Sequence, residues 1–121
     1  MKLAAVVVLY HPGEDLTGNI NSYLPQVDKL LLWDNTPEGE KKQLPLSEIC
    51  HPERLEYRGS GRNVGIGIAL NDAVDYARKN GFTHLLTLDQ DSFFLDGEFR
   101  RYMTAVRGYG EDEQTIFSVN Y

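Results

Sequence analysis

The sequence predicts an α/β domain in which a mainly parallel sheet lies between two layers of helix. Three observations carry this. Short strand-like runs alternate with segments of helical period, the pattern of successive β-α-β units. The runs are apolar on both sides of the pleat, as strands covered on both faces are. Four of them end in clustered polar residues, where a parallel sheet gathers its ligand-binding side chains.

Residues 3–10, Leu-Ala-Ala-Val-Val-Val-Leu-Tyr, read as the first strand, buried on both faces. The apolar run that includes them is short, lacks a small-residue cleavage site, and meets His11-Pro12-Gly13-Glu14-Asp15 at once. It is therefore a strand rather than a signal peptide. Residues 14–24 read as a weak helix, with Gly18 lowering its propensity and Pro25 ending it. Residues 29–33, Lys-Leu-Leu-Leu-Trp, form the second strand and run into Asp34-Asn35. A polar segment follows over 36–53, with a helical turn near 46–50, and a third strand covers 54–58. Residues 65–80 carry the strongest helical pattern: Ile66, Ala69, Leu70, Ala73, Val74 and Ala77 fall on one face. Asp72, Asp75 and Lys79 fall on the exposed face, with Asp75 and Lys79 an i,i+4 pair, and Gly81 stops the helix. A fourth strand over 84–88, a helix over 95–107 and a last strand over 115–120 complete one domain spanning 1–121, without repeats.

At 121 residues, 41% hydrophobic and 25% charged, the chain has the size and composition of a soluble globular domain with a real core. A net charge of −6 argues against a nucleic-acid partner held by basic surface. It also means that an anionic ligand needs local help from a metal, backbone N–H groups or a placed arginine. The single cysteine, Cys50, makes no internal disulfide and fits a reducing compartment. Cys50-His51, with His11 and His84 elsewhere, lacks zinc-site spacing. No run is long enough to span a membrane.

The polar clusters are the informative part. The four strands run into Tyr10-His11-Pro12, Asp34-Asn35-Thr36, Gly59-Ser60-Gly61-Arg62-Asn63-Val64-Gly65 and Asp89-Gln90-Asp91. In a parallel sheet these share one edge. Asp89 and Asp91, one residue apart after an apolar strand, make an oxygen-rich negative spot suited to a hard divalent cation together with substrate phosphates. The competing reading is that the two acids cap the following turn. The glycine-rich loop has G-x-G-x-x-x-G spacing, one residue longer than the dinucleotide fingerprint, and lacks the Gly-Lys-Ser/Thr of a Walker loop, so NAD and ATPase readings are rejected. Either its free N–H groups and Arg62 face an anion, or Asn63 caps the helix and the glycines only make the turn. Trp33 reads as a core aromatic, and Gln90 as pointing away from a metal.

Taken together, Val-Val-Leu-Tyr-His-Pro, Asp-Asn-Thr, Arg-Asn-Val-Gly-Ile-Gly-Ile-Ala-Leu-Asn and Leu-Thr-Leu-Asp-Gln-Asp-Ser resemble glycosyltransferase family 2. The Tyr-His-Pro and Asp-Gln-Asp-Ser forms are most similar to its bacterial rhamnosyltransferase-like branch. The resemblance implies a three-layer α/β/α Rossmann-like sandwich of the nucleotide-diphospho-sugar transferase type. It also implies inverting transfer of a sugar from a nucleotide diphosphate donor to a saccharide or lipid-linked acceptor. By the same resemblance Tyr10, His11 and Pro12 line the nucleotide pocket. Asp34 hydrogen-bonds the pyrimidine ring with Asn35 beside it, and Arg62, Asn63 and Gly65 sit near base and diphosphate. Asp89 lies near ribose and metal, and Asp91 is the direct ligand of Mg²⁺ or Mn²⁺. The branch suggests dTDP-rhamnose or a UDP-sugar, and a cytoplasmic protein near the inner membrane face that serves polysaccharide synthesis. Members continue for roughly another half-domain that carries the acceptor site and its base. Ser118-Val119-Asn120-Tyr121 looks like a chain cut inside a sheet, so the catalytic base is expected beyond it and Glu111-Asp112-Glu113 reads as a solvated loop.

Two rivals stand beside this reading. One is a non-catalytic relative that binds nucleotide or pairs with another subunit or a second copy through an exposed sheet edge. The other is a receiver-like signalling domain, disfavoured because Tyr10-His11-Pro12 stands where its acidic cluster belongs.

Overall fold

The computed structural model of the protein describes residues 1–44 and 46–108. Four strands and three helices alternate: β1 (Leu3–Leu9), α1 (Leu16–Asn21), β2 (Lys29–Asp34), β3 (Leu55–Gly59), α2 (Gly65–Lys79), β4 (His84–Asp89) and α3 (Glu98–Gly108). Short 3-10 turns occupy Leu24–Gln26, Glu38–Glu40 and Pro52–Arg54. The strand expected at 115–120 and the acidic run at 111–113 lie outside the described residues.

Every strand pair is parallel, in the order β3-β2-β1-β4. Alternation along β1 sends Leu3, Ala5, Val7 and Leu9 to one face, where they pack with Leu16 and Ile20 of α1 and with Phe99, Met103 and Val106 of α3. Val6 points the other way and packs with Leu31 and with Ala73 of α2. This is the expected three-layer α/β/α Rossmann-like sandwich. Its larger layer centres on Tyr23, whose ring lies 6.1 Å from those of both Phe94 and Phe99. Burial pushes the Tyr23 phenol well above its ordinary range. Among the described residues no helix is long and apolar enough to cross a membrane.

Three expectations are corrected. The buried stripe of α2 is Ala69, Ala73 and Ala77, with Ile66 and Val74 exposed. Val74 lies about 100° around the helix from the centre of that stripe, and Ile66, though on its line, stands in the first turn, past the strand ends. Asp72, on the opposite flank, is not a free surface acid. It receives both Nε (2.5 Å) and Nη2 (2.8 Å) of Arg58 on β3. Asp75 and Lys79 form no ion pair among the described residues. Finally, among the described residues β4 is the outermost strand on its side of the sheet, with Leu85, Leu86 and Leu88 half-buried. The Gly81 stop is as expected: at φ +75°, it allows Phe82 N–H to reach the Ala77 carbonyl at 3.0 Å and close the helix.

Gly59 shows how tightly the strand ends are drawn together. A Cβ there would stand 2.8 Å from the carbonyl oxygen of Asp34. Gly59→Ala is expected to cost on the order of 1–3 kcal/mol of stability through local displacement of β3 from β2. A wild-type urea midpoint for that variant would contradict this packing.

Candidate functional site

The register brings the four polar clusters to one edge. Leu9 pairs with Asp34, Asp34 with Gly59, and Val8 with Asp89. Gly59, Asp34 and Leu9 therefore lie in a row across the sheet, and Asp89 stands one residue short of it, opposite Val8. Asp34 and Asp89 are separated by two strand spacings, roughly 10 Å.

Asp34 is the best-defined member. Only 2% exposed, it uses one carboxylate oxygen, Oδ1, to accept from the Thr36 backbone N–H at 2.9 Å. Its Oδ2 accepts from the hydroxyl of Tyr57. Tyr57 stands opposite Leu32 on β3, on the same face as Asp34 and one pleat before it. Gly59, opposite Asp34, has no side chain to intervene. Burial first, and then the hydrogen bond and charge of Asp34, hold the Tyr57 phenol above the usual tyrosine range, while Lys41 opposes this. Asp34, His11, Pro12 and Thr36 face Lys41 and Leu44 across a pocket of about 90 Å³. That is below the ~300 Å³ lower end of ordinary small-molecule sites, so it admits a ring-sized group and no more.

His11 and Asn35 build the surroundings of this pocket. His11 has φ +46°, the left-handed region that non-glycine residues seldom occupy. It is held there by its N–H to Thr36 Oγ1 (2.9 Å) and by Nε2 against Glu40 (3.1 Å). The Asn35 amide makes three internal bonds: its Oδ1 accepts from Trp33 Nε1 (3.0 Å) and Val64 N–H (3.3 Å), and its Nδ2 donates to the Gly65 carbonyl (3.2 Å). Asn35 thus shapes the edge.

The glycine-rich loop divides in the same way. Gly61 and Gly65 adopt φ of +81° and +84°, so the turn itself calls for glycine. The Gly65 N–H is taken by Asn63 Oδ1 at 2.9 Å, and the Gly61 carbonyl accepts from Glu38 N–H at 2.9 Å. The guanidinium of Arg62 is exposed and has no partner among the described residues.

On the far side, Asp89 and Asp91 are exposed, and neither carboxylate has a hydrogen-bond or ion-pair partner among the described residues. The turn between them is made by other groups: the Asp89 N–H donates to Ser92 Oγ (3.1 Å), and Ser92 N–H returns to the Asp89 carbonyl (3.0 Å). The carboxylates are thus not consumed in capping. Gln90 points away from them. Its amide accepts from Tyr10 N–H at 2.8 Å and donates to Tyr10 C=O at 3.1 Å, clasping β4 to β1. The exposed Tyr10 ring stands edge-on to His11, 4.4 Å between centroids. No group of three acidic, histidine or cysteine side chains gathers for a metal among the described residues. Tyr57, Thr36 and Lys41 did not stand out as site residues in the sequence. The shared odd-even face of Tyr57 and Asp34 was the available signal for Tyr57, but it needs the register to be used.

The chain is similar to polyprenol monophosphomannose synthase of Mycolicibacterium smegmatis, with 24% identity over 104 residues. The match covers 84% of this chain and 39% of that protein, so the chain spans about two-fifths of the relative's length. No family model matches the chain. No solved structure matches it either. The likeness supports a relationship to glycosyltransferases at the level of family 2 and says nothing for the rhamnosyltransferase-like branch.

Asn35→Ala strands a buried indole N–H and two loop backbone groups. It is expected to cost about 1–3 kcal/mol, with faster hydrogen exchange at the Val64 amide. Unchanged exchange there would contradict the clamp. The second expectation concerns pH. Because the folded Tyr57 pKa is raised above its ordinary value of 10.0, its bond to Asp34 stabilises fully below that value. The stabilisation is lost as pH climbs through the raised pKa. ¹³C-tyrosine NMR should show Tyr57 titrating late, and Asp34→Asn should bring it part-way back, since burial remains. A normal Tyr57 titration in the wild type would contradict this.

Proposed function

We propose that this chain is the donor-binding part of a glycosyltransferase, holding a nucleotide diphosphate sugar across the carboxyl edge of its sheet. One observation carries the reading. A ring-sized pocket floored by a buried carboxylate, Asp34, and two unpartnered carboxylates, Asp89 and Asp91, lie on the same edge, two strands apart. A base at the first and a diphosphate at the second match the two ends of a nucleotide. The family resemblance and the mycobacterial relative support the same assignment.

In this reading Asp34 accepts from the ring of the base, with His11 and Pro12 walling the pocket and the exposed Tyr10 ring beside His11 at its margin. Arg62, on the loop that opens α2, supplies the cation that the net charge of −6 otherwise denies an anionic ligand. Asp89 and Asp91 suit a hard divalent ion, Mg²⁺ or Mn²⁺: they are exposed carboxylate oxygen donors without partners among the described residues. With no third protein ligand gathered among the described residues, the remaining positions would be filled by donor phosphate oxygens and water. Bound there, the ion would stabilise the charge that develops on the departing diphosphate. An acceptor hydroxyl attacks the sugar carbon from the opposite side and inverts it, with its proton removed by a base outside the described residues. The likeness to a polyprenol monophosphomannose synthase favours a lipid-linked acceptor over a free saccharide, which would place the protein at the cytoplasmic face of a membrane. The donor is a UDP- or dTDP-sugar, dTDP-rhamnose among the candidates.

Calorimetric titration with UDP and dTDP, each with and without Mn²⁺, tests this. Binding should require the metal and should fall at least about tenfold, roughly 1.4 kcal/mol, in Asp91→Ala. Nucleotide binding that ignores both metal and mutation would sink the assignment.

A further inference from the structure

We infer that Tyr57 is a positioning residue of the donor site: its hydroxyl fixes the orientation of Asp34, and so lets the pocket distinguish bases by their ring nitrogen. The inference deepens the nucleotide reading above and rests on it.

Three observations carry it. First, each Asp34 oxygen has one internal donor, the Thr36 N–H on Oδ1 and the Tyr57 hydroxyl on Oδ2. A carboxylate has about four lone-pair sites, so one on each oxygen remains for a ligand while the plane of the group is fixed. Second, the Thr36 N–H and the Tyr57 hydroxyl each stand as a donor to one carboxylate oxygen, so the group meets a ligand as an acceptor. Third, Tyr57 joins the floor of the pocket to its opposite wall. The Lys41 ammonium lies 5.5 Å from the Tyr57 ring centroid, lines the same pocket as Asp34, and is itself paired to Glu38 at 2.9 Å. Tyr57 is half-exposed, so packing alone does not explain its phenol, whose hydroxyl faces the Asp34 carboxylate and the Lys41 ammonium.

The chemistry follows. Uracil and thymine carry an N–H between their two carbonyls, whereas cytosine has a bare nitrogen at that position. An acceptor-only carboxylate bonds the first and repels the lone pair of the second. Without the Tyr57 hydroxyl, Asp34 keeps only the Thr36 contact and can rotate out of line with that ring N–H, which weakens uracil and leaves cytosine unaffected.

Wild type, Tyr57→Phe and Asp91→Ala are titrated calorimetrically with UDP and CDP in the presence of Mn²⁺. The wild type should prefer UDP by roughly tenfold or more. Tyr57→Phe should lose most of that preference by weakening UDP and sparing CDP, with its fold checked by thermal unfolding. Asp91→Ala should weaken both nucleotides together and keep the preference. A Tyr57→Phe protein with the wild-type ratio, or one that loses both nucleotides equally, overturns the role of Tyr57 and leaves the nucleotide reading standing. Failure of the wild type to bind either nucleotide overturns both. Should Tyr57→Phe not fold, ¹³C-labelled Tyr57 in the wild type gives the answer. Its ring signals should shift with UDP and not with CDP, and equal shifts would overturn the inference.

Discussion

The buried side chain of Asn35 is the constraint on which this edge of the molecule depends. Its backbone N–H continues the β1–β2 pairing by reaching the Leu9 carbonyl at 2.7 Å. Its amide then holds Trp33, Val64 and Gly65 together. One residue thereby joins the ends of β1 and β2 to the loop that opens α2. The cost of leaving any of these buried groups unpaired is what makes the junction specific. With the edge fixed, Asp34 is presented from a rigid strand end, and the glycine loop cannot drift away from it.

The two halves of the edge are built on different principles. Around Asp34 each carboxylate oxygen has an internal donor, from Thr36 or Tyr57, His11 is held by Glu40, and the result is a small pocket. Around Asp89 and Asp91 the turn is closed by Ser92 and the Gln90 amide is taken by the backbone of Tyr10, while the exposed carboxylates have no partner among the described residues. A site that orients a base needs the first kind of environment. A site that shares a cation with a ligand's phosphates needs the second, because carboxylates already consumed by internal donors bind a hard ion less well. The contrast between buried-and-bonded and exposed-and-free is therefore itself part of the functional argument.

Much of the fold was legible because its period and its punctuation agreed. The apolar run of β1, the stop at Gly81 and the polar strand ends each appeared where expected, and the parallel order then placed the clusters together. What escaped were features set by neighbours. The helical pattern of α2 includes Ile66 and Val74, but whether either is covered depends on where the sheet ends and how the helix is rotated over it. Asp72 looks like any surface acid until β3 brings Arg58 alongside. Asn35 reads as a polar strand end beside a nucleotide-binding aspartate, yet its amide makes three internal bonds.

The sequence by itself determined the α/β class, the four strand ends that carry the polar residues and the glycines of the loop. These follow from local physics: side-chain period, strand propensity, and the positive φ that only glycine adopts at little cost. Tertiary structure alone decided which of those polar residues are engaged and which are free. Tyr57 meets Asp34 because β3 pairs with β2 in one register and because Gly59 leaves the space between them open. Shifting that register by one residue would turn the phenol to the other face. Pairings of this kind depend on distances between segments far apart in the chain, and no local pattern encodes them.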